Sequence, residues 1–189
     1  RKYLRNIHRE GIMVMGTFIF GLDSDNVRDL YRRARFVNRS GADILQLTIL
    51  TPFPGTKLYY RIKDEKRIIK NNYPEDWQHY HFWEVCMQPG NMSPDDLSFN
   101  MTNVWEYLYS KKNLRKLFLK SLFRTRRLNI FKWFSFRKHV IWAYVVNWIY
   151  KRITLQYSKR PEGIPDIQAP VPDLKESATL SSEKKTIRA

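Results

Sequence analysis

A chain of 189 residues is long enough for one domain and a tail. It carries 34 Lys and Arg against 18 Asp and Glu, a formal net charge of +16, and its single cysteine excludes an internal disulfide or a zinc site built on several cysteines. No secretory signal is legible, and the longest apolar run, residues 140–150, is interrupted by Asn147 and too short to span a bilayer.

Residues 1–10 place Tyr3, Leu4 and Ile7 at helical spacing, with Gly11 as a C-terminal cap. Residues 12–20 form a nearly continuous apolar run. Its length and flanking glycines favour a strand over a buried helix, and its two apolar faces predict cover on both sides. Ser24 or Asp25 is expected to cap the next helix. There Val27, Leu30, Tyr31, Ala34 and Val37 form an apolar stripe, Arg28, Arg32, Arg35 and Arg39 a solvated face, and Gly41 the end.

Residues 44–50 read as a second strand, with Leu45, Leu47 and Ile49 toward the covering helices and Gln46 and Thr48 on the other face with Ile44 and Leu50. Polar side chains pointing into a barrel are costly unless they meet a ligand or one another. Gln46 and Thr48 therefore read either as ligand contacts or as a hydrogen-bonded pair. Strand, helix and strand, with turns rich in Gly, Pro, Asp and Thr, make a βαβ unit whose functional loops lie at the carboxyl ends of the strands. Two prolines stiffen the loop at residues 51–56, as suits a pocket wall, and residues 57–64 are expected as a short helix.

His79 and His81 stand two apart among Trp77, Tyr80, Phe82 and Trp83. They read as a metal pair or as packed or surface imidazoles, and no carboxylate spacing supports the metal. Ser93 caps a helix with Pro94 in its first turn and Asp95 and Asp96 at its positive dipole end, followed by Leu97, Met101, Val104, Trp105 and Leu108. Residues 114–122 and 131–155 read as basic, aromatic-rich helices carrying Trp133, Trp142, Tyr144, Trp148 and Tyr150. Between residues 111 and 160 stand fifteen Lys and Arg and no acidic residue, so the excess charge belongs to this part and suggests an anionic partner. With no regular stacking platform and no groove-reading helix, an anionic membrane surface is favoured over nucleic acid. A helical core with a basic polar face is the other reading. Residues 158–189, without an aromatic residue, read as a disordered tail.

Gly16-Thr-Phe-Ile-Phe-Gly-Leu-Asp23, followed by Leu50-Thr-Pro-Phe-Pro-Gly-Thr56, resembles the last two barrel strands of a radical SAM enzyme, most like the family with a cobalamin (B12)-binding domain. Asp76-Trp77-Gln-His-Tyr80 and Gln88-Pro-Gly-Asn-Met92-Ser-Pro-Asp-Asp-Leu97 resemble the region after that barrel, and the resemblance covers residues 1–125. It implies an α/β fold: the last two βα units of a partial (β/α)6 TIM-like barrel over residues 1–70, a mainly helical, aromatic- and Lys/Arg-rich region over 71–157, and the disordered tail over 158–189. It implies an enzyme that cleaves S-adenosylmethionine with a 4Fe–4S cluster to start radical chemistry, cobalamin-dependent methyl transfer included, on a small-molecule or lipid-like substrate.

The resembled strand carries a Gly-x-Ile-x-Gly-x-x-Glu pattern. Here Thr17 replaces the first Gly, Ile19 and Gly21 fit, and Ser24 stands at the Glu position with Asp23 and Asp25 beside it. By that likeness Thr17, Ile19, Gly21 and Asp23 border S-adenosylmethionine, while Gln46 and Thr48 face the adenine or the substrate. No catalytic or metal-binding residue is assigned. The cluster's CxxxCxxC loop is absent, so cluster and cobalamin would belong to a missing N-terminal part. The chain, whose first residues from Arg1 already read as mid-helix, is expected to be a fragment inactive by itself. A cytoplasmic location, peripheral at the inner face of the membrane, is expected. The alternative is a basic amphipathic membrane-surface module without catalysis.

Overall fold

The computed structural model describes residues 2–124 and 130–157, with side chains described for 3–123 and 136–157. The tail expected over residues 158–189 lies outside the described residues. Helix α1 (Lys2–Arg9) leads to strand β1 (Met15–Phe20), helix α2 (Val27–Ser40) and strand β2 (Ile44–Ile49). Helix α3 (Lys57–Asp64) and a short 3-10 turn (Glu75–His79) follow, then helices α4 (Pro94–Leu108), α5 (Lys111–Arg124) and α6 (Ile130–Gln156). The architecture is α/β, a two-stranded parallel sheet with α2 and α4 packed on one face.

The two strands pair in parallel with Met15 opposite Ile44, Thr17 opposite Gln46 and Ile19 opposite Thr48. Because side chains alternate across a strand, Met15, Thr17, Ile19, Ile44, Gln46 and Thr48 share one face. Phe18, Phe20, Leu45, Leu47 and Ile49 share the other, which is packed into the core with Leu30, Ala34 and Val37 of α2 and Leu97, Met101, Val104 and Trp105 of α4. The cover expected on both faces of β1 is present on one. Met15, Thr17 and Ile19 are exposed, and no described element packs over them.

Local chemistry sets the helix ends. The cap of α2 is Asn26, not Ser24 or Asp25: its side chain accepts the Asp29 N–H at 3.1 Å, while the Asp29 carboxylate accepts the Asn26 N–H at 3.2 Å. This reciprocal box satisfies two otherwise orphaned donors. Asp25 is instead buried, its carboxylate clamped by both guanidinium nitrogens of Arg33 and by the Leu22 N–H. Gly41 ends α2 with φ 99°, and Ser93 caps α4, accepting the Asp96 N–H at 3.0 Å, as expected. In α1 the expected stripe is broken. Tyr3 is 81% exposed, and the buried residue is His8.

Behind the sheet the helices reach around to its outer edge. The Leu45 N–H donates to Asn147 Oδ1 at 2.9 Å, Asn147 Nδ2 donates to the Asp43 carbonyl at 2.9 Å, and the Tyr109 hydroxyl donates to the Leu45 carbonyl at 2.7 Å. Further along, the Ile49 N–H donates to the Phe82 carbonyl at 2.8 Å. At Leu45 and Ile49 the backbone groups with which β2 would meet a third strand are thus taken by α6, by the end of α4 and by a loop. At the amino end of the sheet, Asp43 joins α1, β1 and α5. His8 Nε2 lies 2.8 Å from Oδ2, the Val14 N–H donates to the same oxygen at 3.0 Å, and the Ser121 hydroxyl donates to Oδ1 at 2.6 Å.

Candidate functional site

The uncovered sheet face brings four of the six expected site residues together. Thr17 and Ile19 lie on β1 directly across from Gln46 and Thr48 on β2. Thr17 is exposed, Ile19 is 47% exposed, Gln46 is half-buried and Thr48 is buried. The Thr17 hydroxyl donates to Gln46 Oε1 at 3.0 Å. That bond orients the Gln46 amide and leaves its nitrogen, two donors, without a protein partner among the described residues. The Thr48 hydroxyl reaches only the Phe18 carbonyl, at 3.4 Å. The hydrogen-bonded pair on this face is therefore Thr17–Gln46, not the expected alternative Gln46–Thr48.

Gly21 and Asp23 lie in the loop after β1 rather than on that face. Gly21 has φ +76°, and a Cβ there would meet Leu97 Cδ2 at 2.7 Å. Conformation and close packing both call for glycine. Asp23 is held by two arginines. Arg67 grips both carboxylate oxygens and Arg61 Nη2 lies 2.9 Å from Oδ2. The hydrogen bond from Arg67, with the charge of both guanidinium groups, holds the Asp23 carboxyl below the usual carboxylate range. The same loop is tied to the chain before α4: Asn91 Nδ2 donates to the Asp23 carbonyl at 3.0 Å, and a Cβ at Gly90 would meet that oxygen at 2.5 Å. Arg67 also donates to the Gln88 carbonyl through Nε and Nη2. These ties fix the rim at the carboxyl end of β1. Arg33, Arg61 and Arg67 were not singled out in the sequence: nothing local marks Arg61 and Arg67, whose carboxylate lies 38 and 44 positions away, and Arg33 meets Asp25 eight positions back, across the turn before α2.

At the carboxyl end of β2, residues 79–84 form the other rim. The Thr51 hydroxyl lies within hydrogen-bonding distance of both the Ile49 and His81 carbonyls, and Phe53 meets Phe82 edge-on at 5.3 Å. His79 Nδ1 lies 2.7 Å from Glu84 Oε2, and His81 Nε2 lies 3.4 Å from Glu84 Oε1. The Trp83 N–H donates to His81 Nδ1 at 3.3 Å, so the neutral ring carries its proton on Nε2, toward Glu84. Tyr157 packs 4.3 Å from the His81 ring and stacks on Trp83. These imidazoles are packed and carboxylate-bonded, and among the described residues no group of three or more His, Cys, Asp or Glu could hold a metal ion.

Cys86 is buried; its thiol donates to the His79 carbonyl at 3.1 Å, and burial pushes its pKa up to about 12. Two small cavities, about 20 and 10 Å³, lie among the helices; none of Thr17, Ile19, Gln46 and Thr48 lines either. The candidate site is a sheet face exposed along β1, with Ile44 and Thr48 of β2 buried and one oriented amide between them, flanked at its carboxyl end by two loops.

No family model matches the chain. The chain is 23% identical over 140 residues, 74% of its length, to the bacteriochlorophyllide d C-8(2)-methyltransferase of Chlorobaculum tepidum. Over 111 residues, 59% of its length, it is 26% identical to the bacteriochlorophyllide d C-12(1)-methyltransferase of the same organism. It is also 24% identical over 114 residues, 60% of its length, to the anaerobic magnesium-protoporphyrin IX monomethyl ester cyclase of Cereibacter sphaeroides. The matched stretches span 30%, 23% and 18% of those three enzymes. The chain is thus distantly similar to named enzymes, and corresponds to a minor part of each.

Proposed function

We propose that these residues form the closing part of a radical SAM enzyme that transfers or generates one-carbon or radical equivalents on a large, flat, tetrapyrrole-like substrate. The observation that carries this reading is the open face of the sheet, with Thr17, Ile19 and Gln46 together on it while the opposite face is fully packed. The motif resemblance supports it, as does the likeness to two methyltransferases and a cyclase whose names specify bacteriochlorophyllide d and magnesium-protoporphyrin IX monomethyl ester.

The sheet has one edge at which it could grow. Backbone groups of β2 are taken by Asn147, Tyr109 and Phe82, whereas no described strand pairs with the other edge of β1. In this reading the remaining strands of a (β/α)6 barrel add on the β1 side, and the open face becomes its interior. The residues fit S-adenosylmethionine in two respects. Ile19 offers an apolar surface for the adenine, and the Gln46 amide, oriented by Thr17, offers donors to a ring nitrogen. S-adenosylmethionine supplies the methyl or radical chemistry when bound. The residues do not fit a 4Fe–4S cluster, since the one thiol is buried and protonated, so no step is assigned through it. Cobalamin, which the resemblance implies, is assigned to none of the described residues.

The test is S-adenosylmethionine binding by the natural full-length polypeptide. Loss of one oriented hydrogen bond in Gln46→Ala, and a charge against the adenine in Ile19→Asp, should each raise Kd about five- to tenfold. Both side chains are partly exposed, so the melting curve should stay in place. An unchanged Kd in both variants sinks the assignment of this face.

A further inference from the structure

Helix α6 is apolar on two sides. Its inner side, with Phe136, Val140 and Ala143, is buried and packs toward β2, α4 and α5. On its outer side Ile141, Trp142, Val145, Trp148, Ile149 and Leu155 are each between 44% and 60% exposed. Their spacing of three and four places them along one flank of the helix. A helix apolar all round is ordinarily covered all round, and a contiguous exposed apolar strip marks a place where something binds.

Charge identifies what binds. Lys138 and Arg152 lie on the same flank as the strip, and the Arg152 guanidinium stands 4.9 Å over the Trp148 ring. The neighbouring α5 exposes Lys111, Lys112, Arg115 and Lys116, and neither helix contains an acidic residue. A second copy of the chain would oppose two cationic surfaces with no carboxylate between them. Tryptophan beside cationic side chains, over a bed of aliphatic ones, is instead the composition of a helix lying in the headgroup region of a bilayer. No helix among the described residues is long and apolar enough to cross a membrane.

We propose that the outer flank of α6 docks in the interfacial layer of an anionic lipid bilayer. Trp142 and Trp148 sit at headgroup depth, Ile141, Val145, Ile149 and Leu155 reach the acyl boundary, and Lys138, Arg152 and the α5 cations meet lipid phosphate. This assignment is independent of the reaction at the sheet face.

The test uses the natural full-length polypeptide and vesicles of phosphatidylcholine with and without phosphatidylserine. Binding should be at least about tenfold tighter with phosphatidylserine and should weaken at high salt. Ile141→Glu combined with Ile149→Glu should reduce it at least about tenfold with the melting curve unchanged, since both positions are exposed. In the unsubstituted protein, brominated lipid should quench tryptophan fluorescence, and Trp142→Phe with Trp148→Phe should remove the quenched component. Equal affinity for the two vesicle types, full binding by the glutamate variant, or absence of quenching overturns the proposal. So does a dimer, formed without lipid, that shields α6 from hydrogen exchange.

Discussion

Asp43 shows how a buried charge is made tolerable. Burial by itself would raise its pKa, but hydrogen bonds from His8, Ser121 and the Val14 N–H outweigh that and hold the carboxyl below its usual range. A carboxyl depressed in the folded state stabilises the protein above the unfolded pKa, near 3.9, and loses that contribution as pH falls through the lower folded value. Urea titrations of the natural protein and of Asp43→Ala should therefore differ by about 3 kcal/mol at neutral pH, and the difference should begin to shrink only below about pH 4, narrowing as pH falls through the lower folded pKa. Asp23 is a contrasting case. Its carboxylate has two arginine partners but is one-third exposed, so solvent screens it and its loss should cost less than that of Asp43. Ser93 and Gly41 were legible from sequence because a cap is a local matter of side-chain length or backbone φ. Asn26 was displaced from the expectation by two positions at most, because Asp25, an equally good cap by composition, is taken by Arg33.

Among the elements, β2 has both edges engaged, in different ways. One edge pairs with β1, and the other is closed by a side chain from each of α4's end and α6. Asn147 was visible in sequence as the polar interruption of an apolar run, and its role is to replace a neighbouring strand. Asn147→Leu keeps the volume and removes the side-chain bonds to the β2 segment, leaving the Leu45 N–H without its acceptor in the interior. The expected cost is about 2–3 kcal/mol. Hydrogen exchange should accelerate at the Leu45 amide more than at amides paired with β1, a pattern that simple loosening of α6 packing would not give. The sequence marked Arg28, Arg32, Arg35 and Arg39 on α2 and left out Arg33, the arginine of that helix which binds a buried carboxylate.

At the scale of the molecule, both strands, α2, α4 and the start of α5 share one buried cluster. The main buried cluster runs from Phe20 to Leu114 and includes residues from either side of residue 70, and α5 and α6 complete it by reaching Asp43 and Leu45. A chain ending at Ser110 would lose the Ser121 and Asn147 bonds and expose β2's outer edge. It should fail to show a cooperative urea transition, whereas a chain ending at Tyr157 should keep one. Retention of the full transition by the shorter chain would mean that the basic helices are an appendage. The net charge is likewise a property of the whole: in the sequence it is concentrated over residues 111–160, and among the described residues Lys111, Lys112, Arg115, Lys116, Lys138 and Arg152 expose it on α5 and α6.

By itself the sequence determined the two strands and the main helices, several of their ends, and that Gln46 and Thr48 belong on the side of β2 away from the covering helices. Those properties follow from local sterics, capping chemistry and the periods of the two regular structures. Only the tertiary structure decided that Thr48 is buried while Gln46 is presented, that Thr17 rather than Thr48 is Gln46's partner, and that Asp23 is held by Arg61 and Arg67. It also decided that one face of β1 is left uncovered and that the outer flank of α6 faces solvent. These depend on which distant segments arrive at the same place, and hydrophobic pattern specifies that a face must be covered without specifying what covers it.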